Sequence, residues 1–191
     1  MALTHTPPGE LGSLCPDFHL PSTQGAQIRR DDLRVAPNGQ RARAILVMFI
    51  CNHCPYVKAI ETRLIELGHE FAKLDVSIVA ISSNDATRYP DDGFEKMREK
   101  SYPFPYLYDE SQSVAKAFGA VCTPDFFLYD ADLKLAYRGR LDDSWKDAAQ
   151  VTSRDLAGAI TALLQGMHPT RDQKSSMGCS IKWKPGQEPA I

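Results

Sequence analysis

The sequence lacks a surplus of charge of either sign. It has 22 Lys and Arg against 24 Asp and Glu, a formal net charge of −2. A protein led to nucleic acid by phosphate contacts carries a basic excess, and an acidic solvating arm shows as a run of one sign; neither is present. Long apolar runs are missing too. The longest, "AILVMFI" from Ala44 to Ile50, falls far short of the roughly 20 residues that cross a bilayer. The opening "MALTHTPPGELGSLCPDF" has no basic start and no apolar stretch, and Pro7 and Pro8 break any early helix. The expectation is therefore no signal peptide, no membrane contact and a cytoplasmic location. A second Cys-x-x-Cys and a closely spaced His pair are also absent. A four-ligand zinc site would be two ligands short, so no metal is expected.

What is present is an ordinary globular composition, 43% hydrophobic and 24% charged over 191 residues, enough for one domain with a sizeable core. The five cysteines are Cys15, Cys51, Cys54, Cys122 and Cys179. An odd count in a chain of this length argues against a secreted disulfide scaffold. Closely paired cysteines in a reducing compartment point to redox chemistry or metal instead.

Strand-like and helix-like patterns alternate along the chain. Cys15 to Leu33 reads as a short hairpin with a turn at Ser22 to Gly25. "RAILVMFI" is a strand buried on both faces. From Pro55, the apolar residues Val57, Ile60, Leu64, Leu67 and Phe71 recur at helical spacing, and proline suits a first-turn position. Val76 to Asp85 is a second buried strand. Phe94 to Tyr102 reads as a short charged helix, Tyr106 as the centre of a short strand, and Ser111 to Phe118 as a helix stopped by Gly119. "PDFFLYDADLKLAYRGRLD" is an antiparallel hairpin, and Ser153 to Leu164 is the last helix. The expected fold class is α/β, a mixed sheet flanked by helices. Its parts are an N-terminal extension and hairpin (1–42), a core (43–166) and an irregular tail (167–191).

Cys51 and Cys54 fall where a buried strand meets a helix. Unpaired N–H groups and the helix dipole stabilise an anion there, so a thiolate has a lowered pKa and acts as a nucleophile. Cys51 is expected to be the exposed nucleophile and Cys54 to face inward and resolve the mixed disulfide. Two intervening residues leave the sulfurs within bonding reach. Asn52, His53 and Pro55 are the expected tuners of the pair.

Strand, "CNHC" and helix, followed about seventy residues later by "TPDFFLYD", resemble the thioredoxin superfamily. "GSLCPDFHLPSTQG", the pair Cys54-Pro55 and the tail "GCSIKWKPG" are similar to its peroxiredoxin-like branch, the AhpC/TSA and TlpA-type proteins. The resemblance implies a thioredoxin-like fold and a dithiol–disulfide couple with no further cofactor. It also implies a cis-proline at Pro124, with the Thr123 backbone beside the sulfurs ready to pair with a substrate strand. His53 stands just before the second cysteine, as a histidine does in DsbA, which implies a potential above thioredoxin's, roughly −270 mV. The implied partners are a disulfide-containing protein or small thiol substrate and an upstream thiol reductant. Nothing in the sequence selects an oligomeric state.

Three positions depart from the relatives. Ile45 stands where thioredoxins usually bury a carboxylate. Cys51 takes the place of the peroxiredoxin threonine, and Thr123 and Pro124 fall where peroxiredoxins commonly place an arginine. Thiol–disulfide exchange therefore ranks first. A thiol peroxidase acting through Cys54 ranks second, and a metal-carrying or redox-sensing binding protein third. Cys15 reads as a small apolar filler. Cys122 reads either as an inert buried thiol or, with Cys179, as an additional redox thiol: the two could bridge, or Cys179 could fold back as an extra resolving thiol. Trp183 is expected to anchor the tail, and the aromatics from Tyr102 to Tyr108 to pack in the core.

Overall fold

The computed structural model describes residues 3–189. In chain order the elements are β1 (Leu3–His5), β2 (His19–Pro21), β3 (Gln27–Arg29), β4 (Ala44–Phe49), α1 (Pro55–Phe71), β5 (Val76–Ser82), α2 (Phe94–Arg98) and β6 (Tyr106–Tyr108). There follow α3 (Ser113–Phe118), β7 (Cys122–Thr123), β8 (Asp125–Asp130), β9 (Leu135–Gly139), α4 (Asp155–Leu164) and β10 (Met177–Ser180). Short 3-10 turns lie at Arg30–Arg34, Pro90–Asp92 and Ala148–Gln150.

A five-stranded sheet in the order β6-β5-β4-β8-β9 forms the centre. β4 pairs parallel with β5 and antiparallel with β8. All six residues of β4 are buried, as a strand covered on both faces requires. Alternation along β4 divides the core. Ala44, Leu46 and Met48 face a cluster that includes Val57, Ile60, Leu64, Leu67 and Phe71 of α1 and Leu156 and Ile160 of α4. Ile45, Val47 and Phe49 face the other, with Phe18, Leu33, Phe118 and Phe127. Burying each large side chain of α1 contributes roughly 1.5–3 kcal/mol, which fixes the helix's first turn against the end of β4.

The ends of the chain depart from expectation. β1, β10 and β7 form a second sheet of three strands, with Leu3 opposite Cys179 and Cys179 opposite Thr123. The tail is irregular on either side of β10 but not within it. "MGCS" has neither alternation nor β-branched residues, so no strand signal was there to read; pairing with β7 makes it a strand. Three of the expected helices are also shorter: α2 stops at Arg98, α3 begins at Ser113 and α4 at Asp155.

The tail is fastened by buried polar groups. Gln112, in the left-handed region at φ 64, donates from its amide to the Ser83 and Lys182 carbonyls and accepts from the Lys184 N–H. Asn84 accepts from the Lys182 N–H, and the Asp85 N–H donates to the Lys182 carbonyl. Ile181 is buried and Trp183 packs against the second cluster, so Trp183 is where the anchor was expected.

Gly178 sets how closely β10 approaches β7. A Cβ there would stand 2.0 Å from the Thr123 carbonyl oxygen. Gly178→Ala is expected to lift the strand at a cost of about 1–3 kcal/mol, seen as a lowered Tm and faster proteolysis within the tail. Unchanged values of both would show that the approach is not needed.

Candidate active site

β4 delivers the chain to Cys51 at its carboxyl end, and the Ile50 N–H still bonds the Ile81 carbonyl. The chain turns at Asn52 and His53, and Cys54 sits extended (φ −66, ψ 122) just before Pro55 opens α1. The turn is gripped by Asp92, which is fully buried. One Asp92 oxygen accepts from the Asn52 N–H at 2.8 Å and the His53 N–H at 3.0 Å. The other accepts from the Asn84 amide at 2.8 Å and lies 2.5 Å from His53 Nδ1. Asn52 also donates to the Asp91 carbonyl and accepts from the Tyr106 hydroxyl. The His53 ring stacks on Tyr89 at 4.8 Å, and its Nε2 is buried without a hydrogen-bond partner among the described residues.

Thr123, on β7, meets both sulfurs. Its hydroxyl lies 3.3 Å from Cys51 Sγ. Its carbonyl, 3.1 Å from Cys54 Sγ, accepts from that thiol when the proton is there. The Thr123–Pro124 peptide is cis, as the resemblance implied. The Thr123 backbone edge, expected to receive a substrate strand, is already paired with β10. The expected exposure of Cys51 also fails: Cys51 is 1% exposed and Cys54 0%. Asp92 pulls the loop after β5 over the turn from one side, and β7 with β10 covers it from the other.

The electrostatics reverse the expected order of the thiols. Burial pushes the Cys51 thiol well above the usual range, aided by its hydrogen bond to Cys54 and by the Asp92 charge. For Cys54, the hydrogen bond from Cys51 and further donors outweigh burial. Those donors are the Thr123 hydroxyl and the Val57 and Cys179 N–H groups, and Cys54 is held far below the usual thiol range. The two sulfurs titrate as a pair, and the directions of the two shifts favour the negative charge on Cys54. A thiolate band near about 240 nm is therefore expected to persist at about pH 6, where an ordinary cysteine is almost wholly protonated. Cys51→Ala removes the strongest donor and is expected to move the band's midpoint upward. Absence of the band in the unaltered protein at that pH would overturn the assignment.

Cys51, His53 and Asp92 place ligand atoms within 4.8 Å of one another. Both Asp92 oxygens already serve N–H donors, and the His53 nitrogen facing the sulfur, 3.8 Å away, is the one held by Asp92. His53 Nδ1 is engaged by Asp92, so the sulfur 3.8 Å away lies beside that pair rather than at the end of a relay through the ring.

The remaining cysteines separate clearly. No disulfide joins any of the five. Cys15 lies in the second cluster, its thiol pushed up to about 12 by burial. Cys122 stands opposite Ser180 and Cys179 opposite Thr123. Neighbouring residues on a strand face opposite sides, so Cys122 and Cys179 look away from each other, and the bridge that was one of the alternatives for them is not formed. The Cys122 thiol is directed at the Pro124 carbonyl at 3.6 Å, and burial raises its pKa. Cys179 shares the cluster of Cys51 and Cys54.

Sequence reasoning missed Asp92, Asn84 and Tyr89. "YPDDG" reads as a turn, and nothing local shows that its second aspartate is buried. It also missed Arg138, whose guanidinium bonds Asp125 at 2.8 Å and the Gly119 carbonyl at 2.8 Å, bracing the segment after Pro124. That arginine touches neither sulfur.

The AhpC/TSA family model matches residues 11–138. No curated protein matches the chain. Among solved structures, an uncharacterized conserved protein from Geobacillus kaustophilus is 44% identical with a TM-score of 0.90, covering 97% of this chain and 98% of that one. A hypothetical protein from Sinorhizobium meliloti is 40% identical with a TM-score of 0.88, covering 96% and 100%. A putative thiol:disulfide interchange protein DsbE from Chlorobium tepidum, at 17% identity and TM-score 0.61 over 81% and 98%, shares the fold alone. The same holds for the peroxidoxin BcpB from Mycobacterium tuberculosis, at 22% and 0.54 over 83% and 97%. The mixed sheet and its flanking helices are thus a thioredoxin-like fold, and the chain belongs to the AhpC/TSA family.

Proposed function

We propose that the protein is a thiol–disulfide oxidoreductase working through Cys51 and Cys54. The observation that carries the reading is geometric: two buried sulfurs at a strand-to-helix junction, with the Thr123 hydroxyl 3.3 Å from Cys51 and the Thr123 carbonyl 3.1 Å from Cys54 beside a cis-proline. The pair holds one proton between its sulfurs, and in the form that places it on Cys54 the Cys51 thiolate attacks one sulfur of a substrate disulfide while the other substrate sulfur leaves as a thiolate. Thr123 Oγ1 and the His53–Asp92 pair steady the Cys51 sulfur during the attack. Cys54 then gives up that proton to the departed thiolate or to water and attacks Cys51. The Cys51–Cys54 bond forms and the second substrate thiolate leaves. A recess lined by Tyr56, Ile60, Pro124, Phe126 and Trp145, with Arg140, Asp142 and Asp143 also on its wall, adjoins the cis-proline and offers a seat for part of the substrate. An upstream thiol reductant restores the dithiol.

One observation favours a second reading. The thiolate rests on Cys54, the cysteine followed by proline, so a peroxide meeting it would give a sulfenic acid that Cys51 condenses to the same disulfide with loss of water. Against it, Arg138 is committed to Asp125 and Gly119. Mixing reduced protein with one equivalent of hydrogen peroxide, or of a model disulfide, followed by peptide mapping separates the two. Disulfide exchange predicts rapid Cys51–Cys54 pairing with the disulfide and free-thiol rates with peroxide. Fast oxidation of Cys54 by peroxide, with no faster response to the disulfide, makes the protein a peroxidase.

A further inference from the structure

β10 lies where a substrate strand is expected, antiparallel to the residue before the cis-proline. Cys179 stands opposite Thr123, so its side chain shares the face from which Thr123 reaches the sulfurs. Its backbone N–H hydrogen-bonds the Cys54 sulfur, and its thiol lies within hydrogen-bonding reach of that sulfur as well. Gly178 permits the close approach, and Asn84, Asp85 and Gln112 fasten the chain just beyond.

We propose that Cys179 is the third redox thiol of the site, attacking Cys54 in the Cys51–Cys54 disulfide to form Cys54–Cys179 and release Cys51. The inference rests on the reading that Cys51 and Cys54 form a disulfide. The exchange is balanced within the chain. One sulfur–sulfur bond forms as another breaks, the oxidation level is unchanged, and the proton lost by Cys179 is taken up by Cys51. Its timing follows from charge. In the reduced protein, burial and the hydrogen bond and charge of Cys54 hold the Cys179 thiol up to about 11, while Lys182 pulls the other way. Burial still raises the thiol after oxidation, but once Cys54 is in a disulfide its charge is gone and Lys182 remains, so Cys179 is a better nucleophile toward the oxidised pair than in the reduced protein. Cys54 is thereby shared between two disulfides, and the Cys51 thiol is regained while the protein stays oxidised.

The test uses the full chain and oxidised glutathione. In Cys51→Ser, glutathione added to Cys54 is expected to be displaced by Cys179. The product would be a protein lighter by two hydrogens, with a Cys54–Cys179 peptide and no adduct. In Cys51→Ser/Cys179→Ser the adduct is expected to accumulate to at least about tenfold the single variant's level. Acid-quenched oxidised unaltered protein is expected to yield both Cys51–Cys54 and Cys54–Cys179 peptides. A lasting adduct in Cys51→Ser, or only Cys51–Cys54 in the unaltered protein, overturns the proposal. Cys179→Ser tests the underlying reading separately: failure there to form Cys51–Cys54 counts against the dithiol couple, not against Cys179.

Discussion

Cys51→Ser is expected to lose insulin reduction by at least about 10³-fold while keeping its fold. The hydroxyl fits the same space and still meets Thr123, whose oxygen lies 3.3 Å from the native sulfur. It cannot form a sulfur–sulfur bond, so no mixed disulfide arises at this position. Cys54→Ser should fail differently: Cys51 still attacks, more slowly for want of its proton acceptor, and the mixed disulfide then accumulates. The contrast is read by mass, with one substrate adduct on Cys54→Ser and none on residue 51 of the other variant. Full activity in Cys51→Ser would remove Cys51 from the mechanism.

The largest loss of stability is expected from Asp92→Ala. It strands the Asn52 and His53 N–H groups and the Asn84 amide, all close to a fully buried carboxylate. Each unsatisfied buried donor costs about 1–3 kcal/mol, and removing a buried charge partner commonly costs about 3–5 in all. For a chain of this size that is a drop in Tm on the order of 10 °C, measurable by thermal unfolding. The pH dependence follows from the direction of the shift. Burial would raise the Asp92 carboxyl, but hydrogen bonds from His53 and Asn84 outweigh it and hold it below the usual carboxylate range. A depressed folded value means that its stabilisation is complete above the unfolded value of about 3.9 and fades as pH falls through the folded one. The Tm gap between Asp92→Asn and the unaltered protein should therefore narrow in acid. A gap independent of pH would mean that the carboxylate's charge is not what matters.

The parts of this molecule that were legible are those where one local pattern decides the outcome. Continuous apolar character marked β4, helical spacing and Pro55 marked α1, and the resemblance carried Pro124 to its cis bond. What escaped depends on partners distant in sequence. β10 is a strand because β7 and β1 accept it, and Asp92 reaches the cysteine turn because the loop after β5 folds over it. The placement of the thiolate escaped for the same reason. A helix start favours an anion on either cysteine. Cys54 is favoured first by the hydrogen bond from Cys51 and then by donors that include an N–H from Cys179, which lies in another element.

Asn84 holds Asp92 with its amide nitrogen and the Lys182 N–H with its amide oxygen, both at 2.8 Å. One side chain therefore belongs at once to the grip on the cysteine turn and to the clasp on the tail. Coupling of this kind runs equally in both directions. Loosening the tail would then loosen the grip on the cysteine turn, and a change at that turn would alter how firmly the tail is held. If the pair cycles as proposed, tail docking would report the protein's redox state to anything that binds the segment.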